Sequence, residues 1–126
     1  MSESKEYVSQ TLENGSIHIS EEVIAAIASM AVQDVEGVYG LNPNVGSELG
    51  KLSKKTTGKG IRLMISEDDE ISIDLYVIAL YGHSVVEVAK AVQEAVASTV
   101  ESTTGRKVRS VNVSISGITL PRAPKK

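Results

Sequence analysis

The sequence predicts an α+β fold: a single two-layer domain in which a small, mostly antiparallel sheet carries two amphipathic helices on one face. Three observations lead there. Two segments, near 21–37 and 84–104, place apolar residues at helical spacing, and several others alternate apolar and polar residues with the period of a strand. The order along the chain is strand, helix, short extended piece, hairpin, helix, strand. Two helices with one oily stripe each need one sheet face on which to bury them. At 126 residues the chain fits one domain able to bury about two thirds of its unfolded surface. It has no Phe and no Trp, so Val, Ile, Leu, Ala and Met must build the core.

Residues 1–14 are polar, with only Tyr7, Val8 and Leu12 to bury, and are expected to form a flexible N-terminal tail. The folded body is expected over 15–120, and 121–126 (PRAPKK) reads as a basic C-terminal tail. "GSIHIS" alternates Ile17 and Ile19 with Ser16 and His18, a short half-buried strand. Ser20 then caps a helix whose first turn holds Glu21 and Glu22, where the helix dipole favours negative charge. Val23, Ile27, Met30, Ala31 and the pair Asp34-Val35 trace its expected inward stripe, with Ala25, Ala26 and Ala28 thinning the other sides. Gly37 suits its stop. "VYGL" is a short extended piece, and Asn42-Pro43-Asn44 turns the chain.

Residues 45–60 carry no clear element. A hairpin follows. "IRLMIS" puts Ile61, Leu63 and Ile65 on one face, "EDDE" makes a solvated turn, and "ISIDLYVIALY" puts Ile71, Ile73, Leu75, Val77 and Ala79 on one face. Gly82 supplies a corner. Ser84 and Glu87 match the capping-box spacing that opens a helix. Val85, Val88, Ala89, Val92, Ala95, Val96 and Val100 form its stripe, and Gly105 ends it. The last strand, "KVRSVNVSISGI", alternates Val111, Val113 and Ile115 with serines and Asn112. The opposite sheet face would then carry His18, Arg62, Met64, Tyr76, Ile78, Leu80, Asn112 and Ser114. That is too mixed for a second core and too apolar for a fully wet surface. It reads as a partner or self-association face, with Met64, Tyr76, Ile78 and Leu80 as its candidate contacts; a covering tail or loop is the plainer alternative.

Chemistry is scarce. Without cysteine there is no disulfide, thiol nucleophile or thiolate metal site, which fits a reducing cytosol. The N-terminus lacks the pattern of a secretory signal, and no apolar run approaches the roughly 20 residues that span a bilayer. His83 and Ser84 are adjacent, but Ser84 is better used as a helix cap than as a nucleophile. His18 and His83 are too few imidazoles for zinc, and the acidic run Glu67-Asp68-Asp69-Glu70 lacks the ligand spacing of a calcium loop. No catalytic residue, metal site or cofactor is expected. "TTGKG" lacks the spacing of a phosphate-binding loop and leads into a strand. A net charge of −3 and few aromatics argue against nucleic acid. The cluster Lys51, Lys54, Lys55, Lys59 and Arg62 leaves an alternative, an anion-binding module for RNA or anionic phospholipid.

Four segments in order carry a family likeness: "GSIHISEEVIAAIA", "VEGVYGL", "DLYVIALYG" and "VNVSISGI". Together they resemble the alkaline shock protein 23 family of Gram-positive bacteria, envelope stress response and general stress proteins. The resemblance spans about Gly15 to Ile118. It implies a non-enzymatic, abundant cytoplasmic protein without a cofactor, held in some members near the membrane by a small membrane-anchored partner. The expectation is therefore a scaffold or interaction protein that self-associates into a homo-oligomer, binds such a partner, or does both.

Overall fold

The computed structural model describes residues 7–42, 56–58 and 60–120. The elements run β1 (Tyr7–Leu12), β2 (Gly15–Ser20), α1 (Glu21–Gln33), β3 (Val38–Leu41), β4 (Thr56–Gly58), β5 (Ile61–Ile65), β6 (Ile71–Leu80), α2 (Val85–Thr104) and β7 (Val108–Thr119). β6 is the centre of a five-stranded sheet. Along one edge it pairs antiparallel with β5 through Ile71–Leu75, then with β3 through Val77–Ala79. β4 extends the sheet beyond β5, again antiparallel. On the other edge β6 pairs with β7 along its whole length, in parallel. A parallel neighbour needs a crossover, and α2 is that crossover.

The alternation read from the sequence sets the sheet's two faces. Ile71, Ile73, Leu75, Val77 and Ala79 are fully buried, as are Leu63 and Ile65 on β5. Both helices cover this face, and the core is wholly aliphatic. α2 lies as its stripe predicts, with Val88, Val92, Val96 and Val100 buried. Ser84 Oγ accepts the Glu87 amide at 3.3 Å, and Gly105 ends the helix in the left-handed conformation at φ 76°. Ser20 caps α1 in the same way, its Oγ accepting the Val23 amide.

Three expectations need correction. The flexible tail through residue 14 is wrong from Tyr7 onward, because β1 pairs with β2 as an antiparallel hairpin across the Glu13-Asn14 turn. Val8 is fully buried in the core, so the folded body begins well before Gly15. Residues 1–6 and the expected tail 121–126 lie outside the described residues, as do Pro43 and Asn44 of the predicted turn.

The second correction concerns α1. Its buried face is Ile24, Ala25, Ala28, Ala31 and Val32, whereas Val23 is 48% and Met30 63% exposed. Val23 and Met30 belong to a competing stripe on the same helix. α1 packs against α2 as well as the sheet, and alanines permit the closer approach.

The third concerns the acidic turn. Asp69 is buried, adopts φ 65°, and ties three elements together. Its Oδ2 accepts the Ser9 amide of β1 at 3.1 Å and faces Arg106 Nη2 at 3.7 Å. Ser66 Oγ meanwhile accepts the Asp68 and Glu70 amides. Only part of "EDDE" is a solvated turn.

The loop from α1 into β3 passes beneath the start of α2. Gly37 adopts φ +93°, and a Cβ there would stand 2.7 Å from Val88 Cγ2 and 3.1 Å from His83 Cγ. Gly37→Ala is expected to destabilise the fold by about 1–3 kcal/mol, through backbone strain and the forced shift of Val88. Thermal unfolding followed by far-UV circular dichroism measures it, and an unchanged midpoint would contradict this packing.

Candidate interaction surface

The sheet face away from the helices is the surface to which the candidate contacts belong. On β6 it presents Ser72, Asp74, Tyr76, Ile78 and Leu80, all half-buried, against fully buried neighbours on the other side. Among the described residues no helix or strand lies over it. Its character changes along the strand. Near the start of β6 it is polar: Asn112 Nδ2 on β7 donates to Asp74 Oδ1 at 2.9 Å, and Arg62 on β5 stands opposite Asp74. Towards the end of β6 it becomes apolar. There Ile78 rests beside Gly117, whose missing side chain leaves that space: a Cβ on Gly117 would lie 3.4 Å from Ile78 Cγ1. Asn42 Nδ2 donates to Ser116 Oγ at 2.9 Å, linking the segment after β3 to β7.

Tyr76, Ile78 and Leu80 are thus brought together, and Met64 is not. Met64 is 46% exposed but pairs with Ser72, at the polar end. At roughly 3.3 Å per residue it stands about 13 Å along the sheet from the level of Tyr76. His18 also leaves the face. It sits in the separate β1–β2 hairpin, edge-on to Tyr7 at a ring separation of 4.8 Å, with Ser9 Oγ 3.2 Å from its Nδ1. Of the basic cluster, Lys51, Lys54, Lys55 and Lys59 lie outside the described residues. Arg62 belongs to the polar end of the face, with its Nε buried and unpaired among the described residues.

Sequence reasoning missed a second exposed set at the same end of the sheet. Tyr39, Tyr81, Ile118 and Leu120 are each more than half exposed. Tyr81 is held beside β7 by its amide, which donates to Thr119 O at 2.7 Å. The irregular step in β7 after Ile115 sets Ile118 opposite inward-facing Ala79, yet Ile118 lies uncovered. The available signal was charge: no charged residue occurs between Ser110 and Leu120, in a chain of which 23% is charged.

The corner Tyr81-Gly82-His83-Ser84 is scaffold in its visible contacts. Gly82 turns the chain at φ +105°, and the Ser84 hydroxyl accepts a helix amide. Val35, Glu36, His83, Ser84, Glu87 and Val88 line a shallow, open depression there. Among the described residues no three His, Asp or Glu side chains gather as metal ligands would. No helix among them is long and apolar enough to cross a membrane, which leaves strand-built spans unaddressed.

The profile of the alkaline shock protein 23 family, described by a cell envelope-related function, matches residues 9–120. The chain belongs to that family. The matched span opens inside β1 and closes just after β7, so it includes the first hairpin as part of the domain. Two relatives from Bacillus subtilis strain 168 illustrate the kinship of this alkaline shock family member. The uncharacterized protein YloU is 37% identical over 107 residues, covering 82% of this chain and 88% of YloU. The uncharacterized protein YqhY is 33% identical over 105 residues, covering 82% of this chain and 77% of YqhY. Among solved structures, a MamM-CTD chain is 21% identical with a TM-score of 0.49, covering 77% of this chain and 98% of that one. A likeness of that size says nothing about function.

Proposed function

We propose that this alkaline shock family protein is a non-enzymatic interaction protein of the cell-envelope stress response. It works in the cytoplasm and docks a protein partner on its outer sheet face, either a second copy or a small membrane-anchored protein. The observation that carries the reading is the apolar end of that face, where Tyr76, Ile78 and Leu80 stand together with no described element over them. A large aliphatic side chain contributes about 1.5–3 kcal/mol when fully buried, before the cost of association, so a few such contacts are enough for reversible docking. The polar half of the face, with Asp74, Asn112 and Arg62, would orient the partner. Met64, at that polar half, would contact only a partner large enough to reach along the sheet. Family membership supports the envelope setting, and the engaged Ser84 hydroxyl supports a role other than catalysis.

Ile78→Asp tests it. The side chain is half-buried on the outer face, so the aspartate reaches water and the fold should persist by far-UV circular dichroism. Crosslinking in native cells, followed by co-purification and mass spectrometry, is expected to lose the crosslinks made through the outer face, whether to a specific partner or to a second copy, that the parent chain shows. An identical crosslink pattern in parent and variant overturns the assignment of this face.

A further inference from the structure

We infer that two copies of this chain pair through the free edges of β7, antiparallel about a two-fold axis at Ser114, and join their sheets into one. The inference concerns the edge of the sheet and is independent of what docks on its outer face.

The backbone directions come from the hydrogen bonds. The Ile71 amide donates to Lys107 O, and the Tyr81 amide donates to Thr119 O, so the odd-numbered residues of β6 turn their polar groups towards β7. The even-numbered ones turn away: the Tyr76 amide donates to Gly60 O and the Leu80 amide to Gly37 O. The parallel register sets Leu75 opposite Val113 and Val77 opposite Ile115. In such a ladder Asn112 and Ser114 bond to β6, while Val111, Val113 and Ile115 aim N–H and C=O at the far edge. Gln93 agrees with this geometry, because its Nε2 reaches over from α2 to donate to Val111 O at 2.9 Å.

α2 therefore protects the first half of the edge and leaves the second half open. Glu101 Oε2 accepts the Val108 amide at 3.0 Å, and Gln93 takes the Val111 carbonyl. Beyond them, among the described residues, no strand pairs with the groups of Val113 and Ile115. Exposed edges are ordinarily guarded by charge, by proline or by an irregular step. This stretch has the irregular step between Ile115 and Gly117, but neither charge nor proline from Ser110 to Leu120.

The missing charge also selects the occupant. A charged peptide finds nothing complementary along this edge, whereas a neutral strand of the same pattern does. Antiparallel pairing centred on Ser114 sets Val113 opposite Ile115 of the second copy, in hydrogen-bonded positions. Ser114 then faces Ser114, and Asn112 faces Ser116. β-Branched side chains meet on the helix side and hydroxyls on the outer side, both favourable cross-strand pairs. Lys107 and Arg109 fall at opposite ends of the pair, so the copies do not repel. Exposed Ile118 flanks the seam. Such a short ladder fits a weak, concentration-dependent dimer.

Charge exchange at Ser114 tests the pairing, since this exposed side chain would face its own copy in a close, non-hydrogen-bonded pair. Sedimentation of the parent chain is expected to show a monomer–dimer equilibrium. Ser114→Lys and Ser114→Glu should each weaken it by about tenfold or more, and an equimolar mixture of the two should restore the dimer. Ile78→Asp should leave this dimer in place. Independently of any variant, the Val113 and Ile115 amides should gain hydrogen-exchange protection as parent concentration rises. A parent monomeric at every concentration overturns the inference. So does a mixture no tighter than either charged variant, or exchange insensitive to concentration. If Ile78→Asp dissolves the dimer while the Ser114 variants do not, self-association belongs to the outer face instead.

Discussion

Truncating Leu75 to alanine is expected to lower the folding free energy by about 4–5 kcal/mol, towards the upper part of the range for buried leucines. Leu75 is fully buried in the middle of β6, between Ile61 on β5 and Val113 on β7, beneath the helix layer. The cost depends on how far the surroundings collapse into the void. Here they are mostly valine and isoleucine, whose branched Cβ atoms restrict χ1 and resist moving into new space. No Phe or Trp is present to swing across the gap. Urea unfolding followed by far-UV circular dichroism measures the change as a lower midpoint at constant slope. A loss below about 1 kcal/mol would mean that this core relaxes freely, contrary to the packing described.

Replacing Asp69 by alanine is expected to cost about 2–4 kcal/mol, although the residue sits in a turn of the most acidic run in the chain. Two terms add. Alanine at φ 65° pays the left-handed penalty of about 1 kcal/mol that aspartate and asparagine partly escape. Losing the carboxylate also strands the Ser9 amide and removes the charge facing Arg106, typically about 1–3 kcal/mol for a buried charge-assisted bond. Asp69→Asn keeps the turn and loses only the charge, so an intermediate loss is expected. Asp69→Gly relieves the backbone and still loses the carboxylate. Chemical unfolding of the three variants separates the terms. Hydrogen exchange should also show β1 losing protection in Asp69→Ala, and unchanged β1 protection would rule out the proposed tie.

The elements most legible in the sequence were those whose side chains leave one choice of face. β5 and β6 alternate without exception through Ile61, Leu63 and Ile65, then Ile71 to Ala79, and every one of these residues is buried. α2 has a single valine stripe and clear end signals in Ser84, Glu87 and Gly105. α1 was harder because two apolar stripes compete on it. Val23 and Met30 are the expected inward residues, but packing against α2 and the sheet favoured a face through Ile24, Ala25, Ala28, Ala31 and Val32, with Ile27 partly buried at its side. β1 has few apolar residues, and the one local signal for it, the turn-forming Asn14-Gly15 ahead of an alternating segment, sits one residue past the observed Glu13-Asn14 turn.

The candidate surface divides in the same way. Its composition was legible, because the outer residues of β6 follow from those that must be inner. Its layout was not: Met64 and Tyr76 share a face in any alternation scheme, and only the β5–β6 register sets them at different levels.

The sequence by itself determined the two-layer architecture, the inner face of the central hairpin and the family. Period and side-chain stiffness act locally, and an aliphatic stripe has one stable place to go. The tertiary structure decided the rotation of α1, the inclusion of β1, the burial of Asp69 and the parallel docking of β7, whose far edge has no strand partner among the described residues. Apart from the local β1–β2 pairing, these depend on partners far along the chain: Asp69 meets Ser9 across 60 residues, and Asp74 meets Asn112 across 38. A contact of that kind leaves no period in the sequence on either side.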